Sequence, residues 1–220
     1  SLKNVVNPDD VTSKYGADSL RLYEMFMGPL DVTKPWDEKG VKGVFGFLGR
    51  AFRFLSNAEN ILTGEEDSEI LKGLHQTIKK VEWDIENLHF NTAVSAMMIF
   101  LNLATKKGKI TTNTACTFTK ILSPFAPHMA EELWQLLGNK KSLAYEPWPG
   151  FNEEYLKEDS FNYPVSFNGK MRFNIELPVS LDKEEIIKIV LADERAKRWI
   201  GNSKPLNIIV VPNRIVNIVI

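Results

Sequence analysis

The chain has 220 residues, 27 basic and 28 acidic side chains and a net charge of −1, with 44% hydrophobic and 25% charged residues. That is the composition of a soluble globular protein of one large or two modest domains. It excludes a generally basic nucleic-acid binder, so any such role must rest on local patches.

The opening SLKNVVNPDD has no apolar core and is not a secretory signal. No run of about eighteen apolar residues offers a membrane span. The single cysteine, Cys116, has no partner for an internal disulfide, which suits a reducing cytoplasm. The first residue is Ser1 rather than Met, as in a trimmed product or a piece of something longer.

Residues 1–35 read as a connecting segment. Asn7-Pro8-Asp9-Asp10 is turn chemistry, with Asp9 or Asp10 as a cap, and one short helix follows whose apolar face is broken by Gly16 and stopped by Gly28-Pro29. Residues 36–140 carry four helical stripes. The first places Val41, Val44, Phe45, Leu48, Phe52 and Leu55 on one face. The second runs Ile70 to Leu88 and the third Phe90 to Ala104. The fourth starts near Thr111, breaks at Pro124 and resumes after Pro127. Short connections between such stripes predict an antiparallel helical bundle. Residues 141–160, with Pro147, Pro149-Gly150 and the acidic run FNEEYLKED, read as a linker.

From Tyr163 the period changes to that of strands. YPVSFNGKMRFNIELP predicts a hairpin turning at Asn168-Gly169. Leu181–Ile200 predicts one helix capped by Asp182, and LNIIVV and RIVNIVI predict two further strands. Residues 161–220 are therefore a small ββαββ domain, and the fold class is α+β.

Candidate chemistry is sparse. In SPFAPHMAEELW, His128 precedes Glu131 and Glu132 by three and four residues, a spacing seen in carboxylate-bridged metal sites. His75 and His89 supply no matching pattern, so a helix start with His128 capping and packing explains the segment better. No GxSxG, P-loop or GxGxxG occurs. Gly40, Gly43, Gly46 and Gly49 read as close helix packing. Basic groups are better placed. Lys42, Arg50 and Arg53 lie on the first long helix, and nine basic against six acidic residues lie in the tail. Lys170 and Arg172, on alternate residues beside a turn with exposed amides, would hold phosphates, although water-facing strand edges also carry such charges.

SLKNVVNPDDVTSKYGADSLRLYEMF resembles the segment after the KMSKS loop of class I aminoacyl-tRNA synthetases, with Ser1 standing as the loop's last serine. LHFNTAVSAMMIFLN and ILSPFAPHMAEELW resemble the anticodon-binding-type domain of the leucine, isoleucine and valine enzymes. VTKPWDEKGVKGVFGFLGRAFRF, VSFNGKMRFNIELP and VVPNRIVNIVI are similar to the bacterial leucyl family, and the resemblance covers essentially the whole chain.

The resemblance implies a C-terminal part of an enzyme that joins leucine to its tRNA through an ATP-derived adenylate. The catalytic and editing domains would lie elsewhere in the same polypeptide. ATP with magnesium would belong to the whole enzyme, and this part would carry no cofactor, no catalytic residue and no metal. Its partner would be leucine tRNA, held by Lys170 and Arg172 and, on the inner side, by Arg21, Arg50 and Arg53. The expected setting is a cytoplasmic monomer away from membranes. Alternatives are an isoleucyl- or valyl-type fragment, a free-standing RNA-binding module, and a bundle metalloenzyme using His128, Glu131 and Glu132.

Overall fold

The computed structural model describes residues 5–156, 160–201 and 205–220. The chain divides into two compact units, Ser1–Leu156 and Lys157–Ile220, and each has its own apolar core. The α+β class expected from the change of period is the one observed.

The first unit holds α1 (Pro8–Tyr15), α2 (Ala17–Phe26), α3 (Glu38–Leu55), α4 (Ser68–Glu86), α5 (Phe90–Lys107), α6 (Thr112–Leu122) and α7 (Pro127–Leu136). Two short helices replace the single one expected at the start, because Gly16, at φ +84°, closes α1 through its amide on Thr12 and begins α2 afresh. Asn7, not Asp9 or Asp10, caps α1, its side chain accepting from the Asp9 amide. Asp37, Asp67 and Thr111 cap α3, α4 and α6. Two short parallel strands, β1 (Ile61–Leu62) and β2 (Ile110–Thr111), also form; two residues are too few to leave a periodic signal.

Helix α3 departs from its expected face. Its buried row is Val41, Val44, Phe47, Leu48, Ala51, Phe54 and Leu55, while Phe45 and Phe52 are exposed by 49% and 36%. Both faces satisfy a helical period; the difference is that Phe47 and Phe54 complete a better-centred stripe against the core.

The stretch after α7 returns to this unit. Glu131 accepts from the Ser142 hydroxyl and the Leu143 amide, Lys120 pairs with Glu146, and Trp148 and Phe151 pack against the core. Apolar side chains in an otherwise turn-rich segment account for this docking.

The second unit contains β3 (Ser160–Phe167), β4 (Lys170–Pro178), α8 (Lys183–Ala192), α9 (Glu194–Ile200), β5 (Asn207–Val211) and β6 (Ile215–Val219). The sheet order is β4-β3-β6-β5, with β3 parallel to β6 and both hairpins antiparallel. Tyr163, Val165, Phe167, Ile186, Val190, Val216 and Ile218 form its core. Asp182 caps α8 in a box with Glu185, as expected. The single expected helix breaks at Asp193, which leaves helical dihedrals and caps α9 through the Arg195 amide. No described helix is long and apolar enough to cross a membrane.

Gly40 is the close contact of α3: a Cβ there would lie 2.5 Å from Cε2 of Tyr23. The Tyr23 ring is itself wedged edge-on against Trp36, and its hydroxyl accepts from the Asp37 amide. Gly43 instead faces open space. Gly40→Ala is therefore expected to lower the stability of the first unit by about 1–3 kcal/mol in urea unfolding. Gly43→Ala should leave it unchanged or raise it by up to about 1 kcal/mol through helix propensity.

Candidate nucleic-acid interface

The segment around His128 is a repair of a broken helix. Between Pro124 and Pro127 the chain ends α6 and starts α7, which leaves a carbonyl on one side and free amides on the other. Helix α2 supplies partners for both. Arg21 donates from Nε and Nη2 to the Pro124 carbonyl at 3.0 and 2.9 Å. Asp18, three residues earlier and 8% exposed, accepts from the Met129 amide at 2.7 Å and the His128 amide at 3.4 Å, and lies 2.7 Å from His128 Nδ1. The cap of α7 is thus Asp18, and His128 is neither cap nor core, its side chain being 79% exposed. Glu131 is engaged with Ser142 and Leu143. Among the described residues no group of three or more His, Cys, Asp or Glu is assembled to hold a metal, so the metalloenzyme reading lacks a ligand set.

The exposed face of α3 is the first basic surface. At its start Glu38 meets Lys14, the Tyr15 hydroxyl and Lys42, and the hydrogen bond from Lys14 holds the Glu38 carboxyl below its ordinary range. Further along, Arg50 and Arg53 are exposed and have no carboxylate partner among the described residues. The packing expected of the four glycines holds only for Gly40. Gly46 meets only the Arg50 side chain and Gly49 only that of Arg53. Beside them Tyr15, Asp18, Phe45, Gly49, Phe52 and Arg53 line an open cleft. The result is a shallow face of exposed helix backbone, flanked by two aromatic rings and two free guanidinium groups.

The hairpin of the second unit is the other. Asn168 and Gly169 both have positive φ, 48° and 78°, as a two-residue turn of this hand requires. Its amides are not exposed, contrary to expectation: Asn168 N–H donates to the Ile218 carbonyl and Gly169 N–H to Asn217 Oδ1. They are tied to β6 and are not available to a phosphate.

Lys170 pairs across from Phe167 and Phe173 from Val165, with a register shift between that leaves Arg172 as the extra residue of a bulge. Simple alternation along β4 therefore fails here. The Arg172 guanidinium lies 4.0 Å over the Trp199 ring, which is 45% exposed and sits 6.2 Å from Phe167. Arg195 is engaged by Asp193 and the Asn174 carbonyl, and Lys197 by Glu194. Lys170, Arg172 and Arg198 have no carboxylate partner among the described residues. Trp199 was not legible as a site residue, since it meets Arg172 only through the bulge. Ser1 lies outside the described residues.

The geometry offers exposed cations beside aromatic faces on each unit, suited to phosphate and sugar–base contact. A family model described as the anticodon-binding domain of tRNA ligase matches residues 67–188. The whole chain is 48% identical to leucine–tRNA ligase of Porphyromonas gingivalis, and likewise 48% identical to that of Bacteroides thetaiotaomicron, covering 24% of each. It thus spans about a quarter of the length of these relatives. Among solved structures, the ternary complex of Agrobacterium radiobacter K84 agnB2 LeuRS with tRNA and LeuAMS is similar over 99% of this chain and 31% of that one, at 32% identity and a TM-score of 0.80.

Asp18→Ala should leave the Met129 amide unsatisfied at a partly buried helix start and cost about 1–2 kcal/mol in urea unfolding. Asp18→Asn, which keeps an acceptor oxygen, should cost less.

Proposed function

The chain belongs to the family of anticodon-binding domains of tRNA ligases, and from that premise we propose that it is the tRNA-holding C-terminal part of a leucine–tRNA ligase. The observation that carries the reading is identity near one half, over the full chain, to leucine enzymes. The unpaired cations of both units support it. The matches to leucine enzymes favour this over an isoleucyl or valyl fragment, and over a free-standing RNA-binding module.

In this reading ATP with magnesium, leucine activation and removal of wrong products belong to the remainder of the polypeptide, and Ser1 is the remnant of the sequence motif that serves ATP. The present part carries no cofactor. It contributes by holding one reactant: fixing tRNA relative to a distant reactive centre removes translational and rotational freedom that the reaction would otherwise have to lose. Lys170 gives a point charge to the RNA backbone. Arg172, its face resting on Trp199, presents its N–H edge. Arg50 and Arg53 grip the inner side beside the glycine-lined backbone of α3, and Arg21 adds its remaining Nη1 edge. The setting is the cytoplasm, consistent with the lone thiol, and the enzyme acts as a monomer.

The 220-residue chain should bind leucine tRNA with an affinity that falls as salt rises. Lys170→Ala combined with Arg172→Ala should weaken binding and reduce the slope of log affinity against log salt by about 2, roughly 0.9 per lost phosphate contact. Equal affinity for leucine tRNA and for heparin would refute specific holding, and an unchanged slope would remove the hairpin from the interface.

A further inference from the structure

The run Phe151–Leu156 is laid along one row of α4. His75, Lys79 and Trp83 follow at i, i+4 and i+8, so they share a face of the helix. His75 Nδ1 accepts from the Asn152 amide at 3.1 Å, and its ring is stacked on Tyr155 with centroids 4.6 Å apart and planes at 13°. Lys79 pairs with Glu153 at 2.9 Å and stands 5.1 Å over the Phe151 ring. Phe151, Leu156 and Trp83 line a common groove of about 560 Å³. Partial burial holds the His75 imidazole below its ordinary pKa, the direction that suits an Nδ1 accepting from the Asn152 amide.

An acidic segment such as FNEEYLKED has no need of a partner to remain soluble, yet the aromatic and charged side chains of its first half meet a complement on α4. We infer that this row is a clasp that fixes where the connection to the second unit leaves the first, making His75 and Tyr155 positioning residues for the two-unit hold on RNA. The inference rests on the functional reading above.

The consequence is geometric. With the clasp closed, the first unit holds the chain as far as Leu156, and β3 starts at Ser160. Four chain steps reach at most about 14 Å whatever their conformation. With the clasp open, the last hold is Trp148, packed against the core of the first unit, and about twelve steps reach roughly 43 Å. Effective concentration falls as the −3/2 power of linker length or more steeply, so opening should dilute the second unit at its RNA surface about fivefold. The Lys79–Glu153 pair is exposed and adds little by itself; the stack and the apolar groove hold the run.

The test uses the 220-residue chain with His75→Ala plus Tyr155→Ala, and separately His75→Phe, which keeps the stack and loses the acceptor. Hydrogen exchange at residues 151–156 reports the clasp, and titration with leucine tRNA at several salt concentrations reports the hold. Exchange should accelerate and affinity should fall about fivefold in the double variant, with His75→Phe between it and the wild type. Because neither residue is a phosphate ligand, the salt slope should not change. Faster exchange with unaltered affinity would overturn the inference, as would an affinity loss accompanied by a shallower slope, which marks direct RNA contact. A wild-type chain that does not bind leucine tRNA removes the functional reading and the inference with it, an outcome distinct from binding that ignores the variants.

Discussion

A helix interrupted between two prolines leaves backbone groups that must find partners, and in the larger unit both sets find them on α2. The Arg21 guanidinium takes the Pro124 carbonyl, while the Asp18 carboxylate one turn earlier takes the first amides of α7. Each charge is opposite in sign to the helix end it meets. The pairing also fixes how α2 lies against the α6–α7 corner. The same helix then wedges Tyr23 over Gly40 of α3, so one short helix positions both the bundle corner and the basic face. A buried carboxylate left without these amides would be costly, which makes the arrangement cooperative.

The second constraint is that two cores share one polypeptide connection. Neither basic surface is large: two free guanidinium groups on α3, and Lys170, Arg172 and Arg198 on the smaller unit. Two small basic surfaces on one chain hold a polyanion more tightly when both engage together, and joint engagement depends on how the units are tethered. In the proposed reading, the row of α4 residues that gathers the run before the second unit serves that end without touching RNA.

Much of the fold was legible in the sequence, because helical and strand periods, the Asn168-Gly169 turn and the Asp182–Glu185 box act locally. The missed features come from distance or near-degeneracy. Phe45 and Phe47, two residues apart, point to nearly opposite sides of α3, and only packing decides which is buried. Asp18 and His128 are 110 residues apart, so the helix start at Pro127 is legible but its cap is assigned to His128, because the carboxylate that serves it carries no local mark. The bulge at Arg172 cannot be read from alternation, and the turn amides carry no local sign of their partners, because the strand that binds them is the last in the chain. Glycines at every third position suggested packing, whereas three of the four leave helix backbone open. Function came from long blocks of resemblance; residue chemistry alone reached no further than local basic patches.

The most direct test of a two-unit hold is hydroxyl-radical footprinting of leucine tRNA bound to this chain. Two separated tracts of protected backbone are expected, one lost on neutralising Lys170 and Arg172 and the other on neutralising Arg50 and Arg53. One continuous tract, or protection that disappears as a whole with either pair, would contradict the account.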